Sequence, residues 1–205
     1  MSVRLGILSD DQLDYLFVVS LMRLADARGI TKAIFANGDV GRLDEGRNRV
    51  AGEFLKTDAE WLLWLDTDIV FTVQDFDKLL MRGKTNPIVS GLYFRASDPP
   101  TPCAMRYKDG RARVLETVPP GKVISVDTAG FGFMLTHREV LEKMLAQDFN
   151  PTHPWFDNGQ IGPAGQTLAD DASFCWRAKQ LGYDIILDTD VRVGHIKARP
   201  LSDFL

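Results

Sequence analysis

The chain has 205 residues with a hydrophobic content of 45% and a charged content of 25%, which suit one compact domain over residues 1–205. Its formal net charge of −4 argues against a nucleic-acid binder that neutralises phosphates broadly, although it leaves room for a local basic pocket. The longest apolar runs are too short to cross a bilayer, no signal peptide is apparent, and Cys103 and Cys175 lack metal-site spacing, so we expect a cytoplasmic protein with no membrane span.

Strands and helices alternate along the chain. Buried or half-buried apolar runs predict strands over 3–8, 32–36, 61–65, 88–93, 123–126, 131–135, 185–187 and 191–193. Apolar residues at helical spacing predict helices over 13–28, over 44–56, after 72, after 136 and over 168–181. This alternation predicts an α/β fold with a mostly parallel central sheet flanked by helices.

Local signals refine this outline. Thr72 with Asp75, and Thr136 with Glu139, have the spacing of capping boxes that begin helices. Two short strands joined through Lys108-Asp109-Gly110-Arg111 predict a small β-hairpin insertion. Residues 150–165 form the longest irregular segment.

The most informative stretch is Trp61-Leu62-Leu63-Trp64-Leu65-Asp66-Thr67-Asp68. Five large apolar residues predict a strand buried on both faces, and its carboxyl end lies where open α/β sheets bind ligands. Carboxylates at alternate positions can point toward one hard cation such as Mg²⁺ or Mn²⁺. The alternative is a solvated turn, because an aspartate ends many strands.

Arg47 interrupts an otherwise apolar helix face that includes Val50, Ala51 and Phe54. It needs an anionic or carbonyl partner there. A structural salt bridge to Asp44, Asp39 or another acid would supply one. A nucleotide phosphate or base would satisfy it equally well.

Asp170 and Asp171 lie at the start of the last long helix, where the helix dipole favours anions. Neighbouring helix positions project about 100° apart, so both cannot face one site. We expect one to cap the helix and the other to be available as a general base.

His195 follows a strand near the end of the sequence. It is either an ordinary packed residue or a ligand for a cation such as Mn²⁺. Lys197 and Arg199 place positive charge beside it, which would steady a leaving diphosphate or form a solvated basic tail.

The order of these motifs resembles the GT-A glycosyltransferases, particularly the family 2-like and Anp1-like members of bacteria and phages. The resemblance covers residues 3 to 197. It implies that the protein is located in the cytoplasm of a bacterium or of a phage-infected host cell. The matching segments are Arg47-Asn48, Leu65-Asp66-Thr67-Asp68, Gly130-Phe131-Gly132-Phe133, Asp170-Asp171 with Arg177 and Leu181-Gly182-Tyr183, and Val193-Gly194-His195.

The resemblance implies a GT-A, Rossmann-like fold and transfer of a sugar from a nucleotide-diphosphate sugar, with a UDP-sugar favoured, to a hydroxyl acceptor. It implies Mn²⁺ or Mg²⁺ as cofactor, with Asp66, Asp68 and His195 as ligands. Asp171, preceded by Asp170, matches the acidic pair whose second member deprotonates the acceptor in inverting members.

The resemblance also implies a nucleotide site. Asp39 matches the acid that contacts a uracil-type base, and Ser9 and Asp10 would line the same pocket. Arg47 would brace the base or the phosphates, Asp66 would touch the ribose or the metal, and Lys197 would assist the diphosphate.

Four residues are candidates for contacts with sugar or acceptor. Gly130 and Gly132 would let the backbone approach the donor sugar, although strand bulges also explain them. Trp155 and Phe156 would offer a stacking face on a closing loop, although aromatics among prolines also pin a loop to a core.

The chain departs from the family in three ways. It has Asp170 where the family has a glutamate, Ser9-Asp10-Asp11 replaces the usual proline-containing opening, and the chain leaves no room for an extra acceptor domain. These departures leave the donor and the stereochemical outcome open. The acceptor (a protein, glycan, small molecule or modified nucleobase) and the oligomeric state are open as well.

Two other functions compete. A GT-A-like nucleotidyltransferase would carry a basic, glycine-rich loop where this chain has Leu8-Ser9-Asp10-Asp11. A non-catalytic nucleotide- or carbohydrate-binding module would not need the three carboxylates and the imidazole together, which are Asp66, Asp68, Asp171 and His195. A DNA-modifying transferase differs only in its acceptor, and it is left open by the basic residues near the hairpin, which are Arg95, Arg106, Lys108, Arg111 and Arg113.

Overall fold

The computed structural model describes residues 1–9, 12–37, 42–95, 97–109 and 111–196. Fourteen strands lie within these ranges: β1 (Val3–Ser9), β2 (Ala33–Asn37), β3 (Trp61–Asp66), β4 (Ile69–Val70), β5 (Ile88–Leu92), β6 (Phe94–Arg95), β7 (Thr101–Pro102), β8 (Ala104–Lys108), β9 (Arg111–Val114), β10 (Val123–Val126), β11 (Thr128–Ala129), β12 (Phe133–His137), β13 (Ile185–Arg192) and β14 (Gly194–His195). Five helices accompany them in the same ranges: α1 (Tyr15–Arg28), α2 (Leu43–Leu55), α3 (Val73–Gly83), α4 (Arg138–Gln147) and α5 (Asp170–Gln180).

Seven strands form the central sheet in the order β10-β13-β5-β12-β3-β1-β2. Five of them share one direction, whereas β12 and β10 pair antiparallel with their neighbours. The predicted α/β architecture with a mostly parallel sheet is therefore confirmed. The predicted strands 185–187 and 191–193 are one strand, β13, with an irregular register after Asp188.

The sheet is buried on both faces, which explains the unbroken apolar sequence of β3. One core contains Phe54 of α2 and Phe174 of α5 against Trp64 of β3. The other contains Phe17 of α1 and Phe76 of α3. Alternate residues of β3 supply each core, so a strand without polar residues is required.

Several helix ends follow local sequence rules, but not all of them do. Gly29 ends α1 at a φ of 64°, and Thr72 forms the predicted capping box with Asp75. The predicted capping role of Thr136 is wrong, because this residue lies in β12, where its hydroxyl accepts a hydrogen bond from Trp64 Nε1 at 3.2 Å. His137 caps α4 instead.

The ends of the parallel strands converge on one edge of the sheet. Ser9 of β1 is opposite Asn37 of β2, and Leu8 is opposite Asp66 of β3. The predicted hairpin is also present: β8 and β9 pair antiparallel, with Lys108 opposite Arg111. Across the described ranges, every helix is too short or too polar to cross a membrane.

Candidate active site

Asp68 and His195, 127 positions apart in sequence, are in direct contact. The strand β4 follows the turn after β3 and pairs antiparallel with β14, which places His195 opposite Ile69. As a result, His195 Nε2 lies 2.9 Å from Asp68 Oδ2. The backbone N–H of Ile196 also donates to the carbonyl of Asp68 at 2.7 Å, which ties the two segments together.

The donor atoms at this contact suit a divalent cation. His195 Nδ1 lies 2.9 Å from the Phe94 carbonyl and donates to it, because a carbonyl can only accept. That hydrogen bond turns Nε2 toward Asp68, as backbone carbonyls do behind metal-binding histidines. Two ligands each about 2.1 Å from an octahedral ion are about 3.0 Å apart, close to the separation seen here.

Asp66 lies at the end of β3 but takes a different partner. Its Oδ1 is 3.7 Å from Arg47 Nη2, and its backbone N–H donates to the carbonyl of Gly132. Burial raises the pKa of Asp66, with Arg47 opposing the rise and Asp68 adding to it. Across the described part of the chain, no three His, Cys, Asp or Glu side chains form a ready-made metal site, so Asp66 as third ligand stays a prediction.

Arg47 is buried between two acids from distant parts of the chain. Its guanidinium pairs with Asp170 of α5 as well as with Asp66, and it stacks over the rings of Phe131 and Phe156 at 5.2 and 5.8 Å. Burial lowers its pKa, but these acids outweigh burial and hold the pKa above its usual value. A salt bridge to another acid is thus one role of Arg47, with Asp66 and Asp170 as the partners in place of Asp44, while Asp39 lies outside the described residues.

Neither Asp170 nor Asp171 is the N-cap of α5, which is Ala169, so the predicted capping role is wrong. Asp170 is buried in its ion pair with Arg47. The carboxylate of Asp171 accepts the N–H of Ala172 at 2.8 Å. Burial raises the pKa of Asp171, opposed by the charge of Arg47, and a raised pKa makes a carboxylate a stronger base.

Tyr93, which the sequence did not single out, lies beneath this edge of the sheet. Its hydroxyl accepts the N–H of Gly132 at 3.0 Å, and its ring meets the imidazole of His195 edge to face at 5.4 Å. A Cβ on Gly130 would lie 2.1 Å from the Tyr93 hydroxyl oxygen. The space at Gly130 is therefore taken by Tyr93. The available signal was an aromatic residue with a polar tip at the end of a buried strand.

Trp155 and Phe156 do not offer a stacking face, and that prediction is wrong. Their side chains are 5% and 0% exposed, because Phe156 packs against Trp64 and Phe131 in the core. The indole N–H of Trp155 donates to the Leu141 carbonyl at 2.9 Å. The alternative of simple packing is what the structure shows.

Asn48 and Arg177 hold the 150–165 segment against the body of the protein. The amide oxygen of Asn48 accepts the N–H groups of Trp155 and Phe156 at 3.1 and 3.3 Å. Arg177, fully buried, donates to Asp157 and to the carbonyl of His153. Two residues of the matched motifs thus serve to order this segment.

A cavity of about 270 Å³ opens at the carboxyl end of β2. Its lining is Asn37, Arg42, Glu45, Gly46 and Arg49. Asn37 and Arg42 of its lining flank in sequence the predicted base contact Asp39, which is itself outside the described residues. The two arginines give this cavity a basic side that the sequence did not reveal.

The remaining nucleotide predictions are tested only in part. Ser9 lies at the same edge as Asp66, and its hydroxyl donates to the Gln12 carbonyl at 3.4 Å. Asp10, Asp39 and Lys197 lie outside the described residues. Their predicted roles stay predictions.

Comparison with known proteins supports the fold. No family model matches the sequence, and no curated protein matches it either. Among solved structures, A197 from STIV shares 19% identity with a TM-score of 0.68, over 96% of this chain and 86% of that one. A crystal structure of GalNAc-T7 with UDP, GalNAc and Mn²⁺ shares 13% identity with a TM-score of 0.63.

The GalNAc-T7 match covers 96% of this chain but only 44% of the other, so this chain spans less than half the length of that protein. At these identities the likeness establishes the fold alone. The chain has the GT-A fold, as the order of its motifs predicted.

Proposed function

We propose that this chain is a metal-dependent glycosyltransferase of the family 2-like or Anp1-like type, with residues 1–205 forming one catalytic unit. The contact of Asp68 with His195 at the ligand-binding edge of a GT-A fold carries the proposal. A structural role alone would not require a carboxylate and an oriented imidazole to meet where nucleotide ligands bind in this class of sheet.

The donor is proposed to be a nucleotide-diphosphate sugar, with a UDP-sugar favoured. GalNAc-T7, of similar fold, was crystallised with UDP and Mn²⁺. In this chain the cavity at the end of β2, with Arg42 and Arg49, would accept the nucleotide, together with Ser9, Asp10 and Asp39. Arg47 would contribute indirectly, because its guanidinium pairs with Asp66 and holds that carboxylate in position.

Asp68, His195 and Asp66 would hold Mn²⁺ or Mg²⁺. When bound, such an ion neutralises the negative charge that develops on the diphosphate as it leaves. Lys197 would add positive charge beside it. The hydrogen bond that His195 Nδ1 donates to the Phe94 carbonyl favours the tautomer in which Nε2 can bind a cation, which supports His195 as a ligand.

Asp171 is proposed as the general base in the inverting form of the reaction. Its carboxylate takes the proton of an acceptor hydroxyl, whose oxygen bonds to the anomeric carbon while the bond from that carbon to the diphosphate breaks. The electron pair of the broken bond stays on the diphosphate. Because burial raises the pKa of Asp171, the rate of transfer should rise with pH through a pKa above that of an ordinary aspartate.

The test is a panel of UDP-, GDP- and dTDP-sugars, assayed for hydrolysis and for thermal stabilisation with and without Mn²⁺. We expect one donor to be hydrolysed slowly and to raise the melting temperature only with the metal present. Asp68→Ala should abolish the metal effect, whereas Asp171→Asn should keep donor binding and lose transfer. Asp26→Asn, an exposed acid elsewhere, is the matched control.

Two results would overturn the proposal. If no donor is bound or hydrolysed with metal present, the chain is not a glycosyltransferase of this type. If the same donors, given added pyrophosphate, instead yield a nucleoside triphosphate and a sugar 1-phosphate, the chain is a nucleotidyltransferase. Full activity of Asp68→Ala would remove Asp68 from the ligand set.

A further inference from the structure

One face of the β8–β9 hairpin carries two adjacent pairs of cations. Residues opposite each other on paired strands share a face, and the register places Arg106 opposite Arg113 and Lys108 opposite Arg111. All four side chains are exposed. The residues between them, such as half-buried Met105 and Tyr107, occupy the other face.

This arrangement is unfavourable for the free protein. Like charges directly opposite each other on paired strands repel and destabilise a hairpin. Asp109 is the one acid within residues 104–114. Across the described ranges, none of the four cations forms a salt bridge, and Arg106 donates only to the carbonyl of Ser125. Because the two adjacent like-charge pairs have no acidic partners, an anionic ligand from outside the chain would relieve their repulsion.

We propose that this basic face, formed by Arg106, Lys108, Arg111 and Arg113, binds the phosphate backbone of a nucleic acid. Side chains two positions apart on one strand are about 7 Å apart, and directly opposite ones about 5 Å, so the face presents a row of repeated charges and not a pocket for a single anion. A two-stranded ribbon also has the width that a major groove admits.

A membrane surface suits this face less well. The tip of the hairpin, Lys108-Asp109-Gly110-Arg111, has no large apolar side chain that could enter a lipid interface. The acidic balance of the whole chain, with a net charge of −4, restricts phosphate contacts to this local face. Binding should therefore be modest in strength and strongly dependent on salt.

The hairpin that carries the basic face is connected through its other face to the helix of the proposed base. The strand β8 pairs with β11, and α5, which begins with Asp170 and Asp171, packs against β11. Tyr107, on the face of β8 opposite the four cations, has a raised pKa, first through burial and in smaller part through the charge of Asp171. The phosphate-binding face and the proposed base therefore belong to different faces of the hairpin, and the binding proposal stands independently of the proposed function.

The test is fluorescence anisotropy with labelled single-stranded and duplex oligonucleotides, without donor or metal, from 25 to 300 mM salt. If all four cations contact duplex phosphates, the slope of log K against log salt should be about −3.6, and in Lys108→Gln/Arg111→Gln it should fall to about −1.8. Arg106→Gln/Arg113→Gln should behave in the same way, and it provides an independent pair. Arg23→Gln/Lys84→Gln, with equal loss of exposed charge elsewhere, should keep the slope.

Thermal unfolding of the same variants gives a second readout. Removing a like-charge pair should leave the melting temperature unchanged or raise it, so lost binding cannot be ascribed to lost folding. The proposal is overturned if neither oligonucleotide binds, if the hairpin variants keep the slope, or if vesicles with phosphatidylserine bind as tightly and with the same dependence on Lys108 and Arg111. Because donor and metal are absent, binding can succeed while sugar transfer fails, and the reverse.

Discussion

Cys175 illustrates how burial alone fixes the chemistry of one residue. Its side chain is 0% exposed, and burial raises the pKa of the thiol to about 12. The thiolate is the reactive form, so at pH 8 about one molecule in 10,000 is competent to react. Cys175 lies on the buried side of α5 with Phe174 and Ala178.

We predict that iodoacetamide modifies Cys175 at pH 8 about 1,000-fold more slowly in the folded protein than in urea, since the pKa of its thiol is about 12 in the fold against 9.0 for an ordinary exposed thiol. The measurement is the rate of mass gain in Cys103→Ser, where Cys175 is the remaining cysteine. Cys175→Ser reports on Cys103 separately. Equal rates for Cys175 in the two states would show that the thiol is accessible.

Arg47 shows how far the sequence reaches at this scale. A cation on an apolar helix face predicts a buried anionic partner, and the spacing of the sequence is enough for that prediction. The identity of the partner could not be predicted, because Asp170 is 123 positions away and meets Arg47 only through the packing of α2 against α5. The same limit explains Asn48, whose partners at 155 and 156 lie in a segment without periodicity.

At the scale of elements, the segment that connects β11 to β12 depends on close contact with Tyr93. A Cβ on Gly130 would lie 2.1 Å from the Tyr93 hydroxyl oxygen, and one on Gly132 would lie 3.0 Å from its ring. Buried contacts this short force side chains or backbone to move. The two glycines therefore set the path of the chain next to Asp66 and His195.

We predict that Gly130→Ala lowers the free energy of unfolding by about 2 kcal/mol, as overpacking of a core does. Urea unfolding would measure it. In a Tyr93→Ala background the same substitution should cost clearly less, because the clashing oxygen is gone. Gly52→Ala is the control, since its Cβ meets Trp155 only at 3.9 Å within α2, and alanine should be neutral or favourable there. Equal costs of Gly130→Ala in both backgrounds would contradict this account.

The elements themselves were largely predictable, and the failures have a common cause. The apolar run of β3, the capping box at Thr72 and the Asp-Gly turn of the hairpin are local patterns, so the sequence predicts them correctly. The sequence does not predict the roles of Thr136 and Trp155, because a threonine hydroxyl can cap a helix or accept a hydrogen bond in the core, and an aromatic ring can stack on a ligand or pack in the core. Whether a threonine caps a helix or accepts from a buried indole depends on which strand lies beside it.

At the scale of the whole molecule, ionised carboxylates at the sheet edge lower the free energy of unfolding, whereas an ionised carboxylate in the 150–165 segment raises it. Burial raises the pKa values of Asp66 and Asp171, so their ionisation costs folding free energy at neutral pH. Asp157, in the 150–165 segment, has a lowered pKa. Burial acts to raise it, but hydrogen bonds from Asn150 and Gly159 and the charge of Arg177 outweigh burial.

The signs of the pH dependence follow from these directions. A folded pKa above the unfolded value, as at Asp171, gives stability that is complete below about pH 3.9 and is lost as the pH rises through the folded pKa. A folded pKa below the unfolded value, as at Asp157, gives stability that is present above about pH 3.9 and is lost as the pH falls through the folded pKa. The ionised form of the proposed base Asp171 thus lowers the free energy of unfolding at neutral pH, and the rest of the fold offsets that loss.

We therefore predict opposite effects for two substitutions of the same kind. At pH 7, Asp171→Asn should raise the melting temperature while abolishing transfer, because it removes a buried charge that opposes folding. Asp157→Asn should lower the melting temperature, because it removes the charged partner of buried Arg177. Scanning calorimetry at pH 7 and pH 4 measures both. At pH 4 the difference for Asp171→Asn should shrink, because the raised pKa lets the folded carboxyl protonate there, whereas the difference for Asp157→Asn should largely persist, because the pKa of Asp157 is lowered. A fall in the melting temperature of Asp171→Asn at pH 7 would show that this carboxylate serves the fold and not the proposed reaction.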